Sequence, residues 1–368
     1  MAALQIGIVG LPNVGKSTLF NALTDAGALI ANYPFATIEP NTGVVPVPDD
    51  RLEKLAYIHK AEKIAPATVT FVDIAGLVSG ASRGEGLGNQ FLSHIRSTQA
   101  ICHVVRAFED DNVTRAGSST PAHDIEIINT ELVLADLQTV DNRLPKLQKE
   151  SKANPKLKPE VDMLEQAKKI LDTGRPLFAS SELTANSSRL EQLQLLTAKP
   201  VIYVFNVDEQ TLQGGSLQSK QGGSLQSELR EVVAPAKALF ICAKLETELR
   251  GLDENDQVEL LASYGQDESG LVQLIHAAYQ TLGLQSFLTA GEKEVRAWTI
   301  PVGSTAPQAA GVIHGDFERG FIAAQVIDYE DLLDAGSLAA ARAVGRVRTE
   351  GKDYIMQPND VVEFRFNV

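Results

Sequence analysis

The chain has 368 residues, of which 44% are hydrophobic and 22% charged, and its formal net charge is −14. That length exceeds what one core organises and implies two or three domains. The acidic balance argues against broad nonspecific contact with nucleic acid, DNA included. The sequence holds no apolar run long enough to cross a bilayer. Its first residues enter a strand with no signal-peptide pattern, so a cytoplasmic protein is expected.

In chain order, Leu4 to Val9 reads as a short apolar strand. Gly10-Leu11-Pro12-Asn13-Val14-Gly15-Lys16-Ser17-Thr18 then fits the G-x-x-x-x-G-K-[ST] phosphate loop at every fixed position. Helical spacing follows from Ser17 to Ala26, giving the strand, loop and helix that the motif requires. Gly10 and Gly15 allow backbone N–H groups to turn around an anion. Lys16 reaches the β- and γ-phosphates, and Ser17 supplies a Mg²⁺ ligand. In the segment Asn32 to Ile38, Thr37 is the candidate for a second Mg²⁺ ligand and a γ-phosphate contact. Thr68 to Ile74 alternates as a strand into Asp73-Ile74-Ala75-Gly76. Asp73 would hold a Mg²⁺ water there, and the Gly76 N–H would sense the γ-phosphate. Leu77 stands where related switch proteins carry a water-orienting Gln, which predicts slow turnover. Ser79 to Asn89 has four glycines and reads as a mobile switch loop. Ala100 to Phe108 is the next buried strand. Cys102 and Cys242 both lie in strand-like apolar runs and read as buried free thiols.

From Asp124 to about Lys199, apolar residues recur every three or four positions. Two long helices joined near Asn154-Pro155 are predicted, an antiparallel hairpin inserted in the nucleotide fold. Its turn, from Arg143 through Lys146, Lys149, Lys152 and Lys156 to Lys158, is basic: a solvated tip or an anion-docking surface. Pro200 to Val207 returns to a buried strand and ends in Asn206-Val207-Asp208-Glu209. Guanine-specific proteins carry N-K-x-D here. Val207 lacks the lysine stem, and Glu209 sets its carboxylate one methylene further out, which favours adenine. Gln213 to Ser219 recurs as Gln221 to Ser227, a Gly/Ser-rich loop to which no function is assigned. Ala238 to Cys242 is the last strand of this domain and leads into Ala243-Lys244. Strands at Glu294 to Val302, Phe321 to Asp328 and Val361 to Val368, with short helices at Pro307 to His314 and Tyr329 to Ala335, predict a small α+β domain. It adds Arg342, Arg346, Arg348 and Lys352 to the candidate RNA-docking groups.

Together GLPNVGKST, NYPFATIEPN, DIAGLV, GEGLGNQFLSHIR, NVDE and FLTAGEKEVRAWTI resemble the YchF subfamily, the Obg-like ATPases within the Obg group of P-loop proteins. The resemblance covers nearly the whole chain. It implies an α/β fold: a Ras-like P-loop domain (1–124 and 199–283), a helical coiled-coil insertion (125–198) and a C-terminal β-grasp TGS domain (284–368). It implies ATP preference, weak hydrolysis and association with the ribosome, with Lys16, Thr37 and Gly76 serving catalysis. A monomer is expected. Asn13, Val14, Gly15, Lys16, Ser17 and Thr18 match the family's phosphate loop, and Ser17, Thr37 and Asp73 its Mg²⁺ set. Asn206, Val207 and Glu209 match its base-reading motif, and Ala243 and Lys244 the backbone support of the base. Asn13 also matches proteins that bind K⁺ beside the phosphates. Two positions depart from the family: Ser79 replaces a frequent Lys, and Arg115 is the residue nearest to where some members carry a His proposed to assist hydrolysis, which argues against a His-based mechanism here. Arg115 is then either a cis arginine finger or a solvent-facing loop residue. The rival readings are an Obg-like GTPase and a nucleotide-gated binding module with incidental hydrolysis.

Overall fold

The computed structural model describes residues 4–30, 42–74, 87–109, 120–180, 193–213 and 224–367. They form two compact units, Met1–Val45 with Thr70–Ala278, and Pro46–Val69 with Tyr279–Val368.

The first unit is built on a six-stranded sheet. Numbered along the chain, its strands are β1 (Gln5–Val9), β2 (Thr42–Pro46), β4 (Thr68–Asp73), β5 (Ala100–Ala107), β6 (Val201–Val207) and β7 (Lys237–Ile241). They lie in the order β2-β4-β1-β5-β6-β7, and parallel ladders join β4, β1, β5, β6 and β7. Strands covered on both faces read as near-continuous apolar runs. Thus β5 and β6 are buried at every residue, and Ile6, Ile8, Phe71, Tyr203 and Phe205 lie at the centre of the core. Helix α1 (Lys16–Ile30) starts inside the phosphate loop. Helix α3 (Leu87–Ser97) begins within the expected mobile loop, so Leu87, Gly88 and Asn89 are helical there.

The inserted hairpin is α4 (Pro121–Ala153) and α5 (Lys158–Leu171). The first helix starts before Asp124 because Thr120 accepts from the His123 N–H at 3.3 Å and Pro121 occupies the first turn. It ends at Asn154, where Pro155 cannot continue it. Val133, Val140 and Leu147 recur at seven residues and pack on Val161, Leu164 and Leu171. Buried Asp136 accepts from Leu196 N, Thr197 N and Thr197 Oγ1 at 2.7–2.8 Å, tying α4 to the turn before β6.

The second unit carries the sheet order β11-β10-β12-β8-β9-β3. Its strands are β3 (Ile64–Ala65), β8 (Leu284–Ala290), β9 (Val295–Pro301), β10 (Phe321–Asp328), β11 (Arg348–Glu350) and β12 (Asp360–Phe366). Helices Ala306–Ile313 and Tyr329–Ala335 fall at the expected places. Phe287, Ile300, Ala309, Val326 and Val362 form its core. Pro46–Val69, counted in 1–124 from sequence, groups with this unit. It supplies β3, which pairs with β9, and helix α2 (Arg51–His59). Arg51 fixes the segment: it grips Asp49 and donates to Pro358 O at 2.7 Å.

Candidate nucleotide site

In a parallel sheet the carboxyl ends of the strands point to one edge, and ligands bind there. That edge carries Gly10–Gly15 after β1, Asp73 closing β4, Asn206 near the end of β6 and Cys242-Ala243-Lys244 after β7.

The phosphate loop is shaped by two left-handed residues, Asn13 (φ 62°) and Gly15 (φ 92°), which turn successive N–H groups inward. Asn tolerates this region better than other side chains. A Cβ on Gly10 would lie 2.7 Å from Val104 O, and one on Gly15 would lie 2.3 Å from Asn206 Nδ2. Both glycines are therefore sterically required. Leu19 N–H donates back to Gly15 O at 2.9 Å. The preceding amides at the start of α1 precede any intrahelical acceptor, and the helix dipole adds positive potential. An anion fits this cradle. Ser17 and Thr18 are exposed at its mouth.

Register brings the charged pair together. Ile8 pairs with Asp73 across β1 and β4, so Asp73 emerges beside the loop. Lys16 Nζ forms an ion pair with its Oδ1, with the two side chains 11% and 21% exposed. A cation and a carboxylate in contact beside an exposed hydroxyl form the donor set that a phosphate–Mg²⁺ group engages.

At the other end of the site, Asn206 has a role that sequence reading missed. Its Nδ2 donates to Val14 O at 3.1 Å, and its Oδ1 accepts from Ala243 N at 3.2 Å. One amide thus clasps the phosphate loop to the loop after β7. Val207 is 2% exposed inside β6. Asp208 caps the Glu209–Leu212 turn, accepting from Thr211 N at 2.7 Å. Glu209 turns to Lys244, Nζ to Oε1 2.7 Å. The Lys244 hydrogen bond holds the Glu209 carboxyl below its usual range and raises the Lys244 ammonium. No local pattern announces a pair separated by 35 residues.

Thr37, Gly76, Leu77, Ser79, Arg115 and the centre of the duplicated Gln213–Ser227 stretch lie outside the described residues. Cys102 and Cys242 are free and buried, and burial pushes the Cys102 thiol up to about 12.

The basic groups differ in how they are engaged. Arg342 pairs with Glu363, Arg346 with Asp331 and Asp334, and Arg348 with Glu350 and Asp360. Internal carboxylates thus compensate these arginines. In the hairpin, Arg143 pairs with Glu160 and Lys158 with Asp162. Lys146, Lys149, Lys152 and Lys156, exposed at the turn, have no carboxylate partner among the described residues.

Comparison with known proteins agrees with this architecture. The family model MMR_HSR1, described as "50S ribosome-binding GTPase", matches residues 5–132. YchF-GTPase_C, described as "Protein of unknown function (DUF933)", matches 284–367. The "Ribosome-binding ATPase YchF" of Bacillus subtilis (strain 168) is 51% identical, covering 100% of both chains. The chain belongs to the YchF family. The "Ribosome-binding ATPase YchF" of Escherichia coli O157:H7 is 50% identical over 99% of both chains. The solved Schizosaccharomyces pombe YchF GTPase superposes with a TM-score of 0.85 at 37% identity, covering 98% of this chain and 97% of that one. The P-loop family match thus spans residues 5–132, and the family's C-terminal model matches the 84 residues 284–367.

Proposed function

We propose that this YchF chain is a slow, Mg²⁺-dependent ATPase that prefers ATP to GTP and uses its nucleotide state to switch contacts with the ribosome. The observation that carries this reading is the nucleotide edge: a glycine-shaped anion cradle with Lys16 against Asp73, and a base end where Glu209 is engaged by Lys244. The names of its close relatives, a ribosome-binding ATPase in each bacterium compared, support the ribosome part. The C-terminal domain is read as TGS-like and the hairpin as a coiled coil.

In this reading the loop amides and Lys16 hold the β- and γ-phosphates of ATP. Ser17, Thr37 and Asp73 fit a Mg²⁺ ion, two hydroxyls and a carboxylate being hard oxygen donors. Bound there, the ion would neutralise phosphate charge as it develops. Lys16 would then exchange its contact with Asp73 for phosphate oxygens, leaving the Asp73 carboxylate free to help hold the ion. Gly76 contributes an N–H toward the γ-phosphate, and Asn13 a site for K⁺. Leu77 can neither donate nor accept a hydrogen bond, so the attacking water lacks a side-chain partner there and turnover is slow. At the base, guanine needs a carboxylate for its N1–H and N2–H₂ edge. Glu209 meets Lys244 instead, while backbone groups near Val207, Ala243 and Lys244 serve adenine.

Calorimetric titration of ATP and GTP into nucleotide-free protein tests this directly. ATP should bind at least about tenfold tighter, a difference of about 1.4 kcal/mol. Equal affinities would overturn the specificity. Co-sedimentation with ribosomes that does not change among ATP, ADP and a nonhydrolysable analogue would overturn the switch.

A further inference from the structure

The sheet of the first unit ends at β7, which has β6 on one side and no strand on the other among the described residues. A groove of about 500 Å³ runs along that open side, within the range of built ligand sites. Five consecutive residues, Ala236 to Phe240, line it. Gln226 and Arg230 join them from helix Leu225–Val233, and Gln266 and Gln273 from the turn before helix Gly270–Thr281 and from that helix. Arg230 Nη1 donates to Ala238 O at 3.3 Å, so Ala238 faces the groove. The N–H and C=O of one strand residue point to the same side, and successive residues alternate. Phe240 therefore turns both of its main-chain groups the same way. The Ala238 N–H and the Phe240 N–H and C=O have no partner on that side among the described residues. An open strand edge is a template for another strand.

The chemistry of the lining narrows the occupant. No carboxylate lines the groove, in a chain whose net charge is −14. Arg230 lies over the Phe240 ring at 4.9 Å and has no carboxylate partner among the described residues. Lys237 adds a second cation to the lining. Acidic groups are attracted here and a basic segment is repelled. The three glutamines each donate Nε2 to a nearby carbonyl: Gln226 to Thr211 O at 2.8 Å, Gln266 to Tyr264 O at 3.4 Å and Gln273 to Glu268 O at 3.3 Å. Their Oε1 atoms are left as acceptors with no donor among the described residues. A phosphodiester brings acceptors alone and would leave these oxygens unmet. A polypeptide main chain brings donors and acceptors together.

We propose that this groove docks an extended, acidic segment of a partner polypeptide, which adds a strand beside β7. Its main chain bonds Ala238 and Phe240, its amides reach the glutamine oxygens, and its aspartates or glutamates meet Arg230. The five residues of β7 offer roughly 17 Å of edge, the length of an ordinary strand. In the free protein Arg230 blunts that edge, as a charge on an edge strand does. A carboxylate on the incoming strand turns the same charge into an attraction. The inference is independent of the nucleotide site and of the proposed ATPase activity.

The test uses the full chain and a fluorescent eight-residue peptide alternating glutamate with valine, followed by anisotropy at physiological salt. It should bind at least about tenfold tighter than the same peptide with lysine for glutamate. It should exceed by as much a version N-methylated at alternate residues, which keeps the charge and loses the backbone donors. Arg230→Gln should weaken binding by about fivefold or more while ATP affinity is retained. Hydrogen exchange on the unaltered protein provides a measurement free of variants: the peptide should slow the amides of Ala238 and Phe240. No binding up to about 1 mM, equal binding of the lysine or N-methylated peptide, or protection that bypasses β7 would each overturn the proposal. Displacement of the peptide by oligouridine of matched charge would overturn it too, and would reassign the groove to nucleic acid.

Discussion

Gly15 is where the phosphate loop meets the base loop, because the Asn206 amide fills the space that a Cβ would need. Gly15→Ala combines that clash with a positive φ of 92°, strain on the order of 1–3 kcal/mol. It should lower nucleotide affinity and melting temperature together, checked by calorimetry and thermal unfolding. Lys16→Ala is different in kind: fold retained, nucleotide affinity lost by at least about tenfold, with wild-type binding refuting the site. At the base, Lys244→Ala should release Glu209 and narrow the ATP-over-GTP preference. The pair is largely exposed, so the change should be modest, within about fivefold. Titrations of both nucleotides decide it. Placing lysine at Val207, the obvious way to rebuild a guanine-type motif from sequence, would put an ammonium into the β6 core. Sequence showed the motif and its departures; it could not show that Asn206 faces two loops, since that depends on parallel register across β5, β6 and β7.

At the scale of elements, the hairpin was readable because its apolar spacing is long and its join carries a strong stop signal at Asn154-Pro155, whereas the start signal at Thr120-Pro121 lies ahead of Asp124, from which the spacing was read. The segment 46–69 was not, because α2 is short, with buried Leu52 and Leu55 as its main apolar signal, and β3 has two residues. The helix after β7 holds a group with a distinct titration. Glu246 is 4% exposed and accepts from Gly270 N at 2.7 Å, at the start of helix Gly270–Thr281. Burial pushes its carboxyl from 4.5 up to about 7 despite these donors. A carboxyl raised on folding contributes stability in full below its unfolded value and loses it as pH rises through the folded one. The contribution of Glu246 should therefore fall between about pH 4.5 and pH 7. Melting curves of wild type and Glu246→Gln across that window check it: the wild type should lose stability relative to the variant as pH rises. On the hairpin, replacing Lys146, Lys149, Lys152 and Lys156 by Ala should weaken ribosome co-sedimentation and flatten its salt dependence. The equivalent change at Arg342, Arg346 and Arg348 should do less, because internal carboxylates already offset those charges.

At the scale of the whole molecule, the chain leaves the first unit after Val45, builds α2 and β3 in the second, and returns at Thr70. The stretch it lends lies between the candidate switch residue Thr37 and the metal-site candidate Asp73. A chain cut after Ala278 would leave Leu52 and Leu55, 2% and 0% exposed in the intact protein, without the strands that cover them, and should aggregate or be cleaved within 46–69; limited proteolysis would show it. Evolutionary exchange is constrained in the same way. A C-terminal domain transplanted between two family members as one contiguous block would arrive without its sixth strand and without the arginine that grips Pro358. A working chimera has to carry two pieces of sequence, 46–69 together with the C-terminal segment, and substitutions in those two stretches should be inherited as a set.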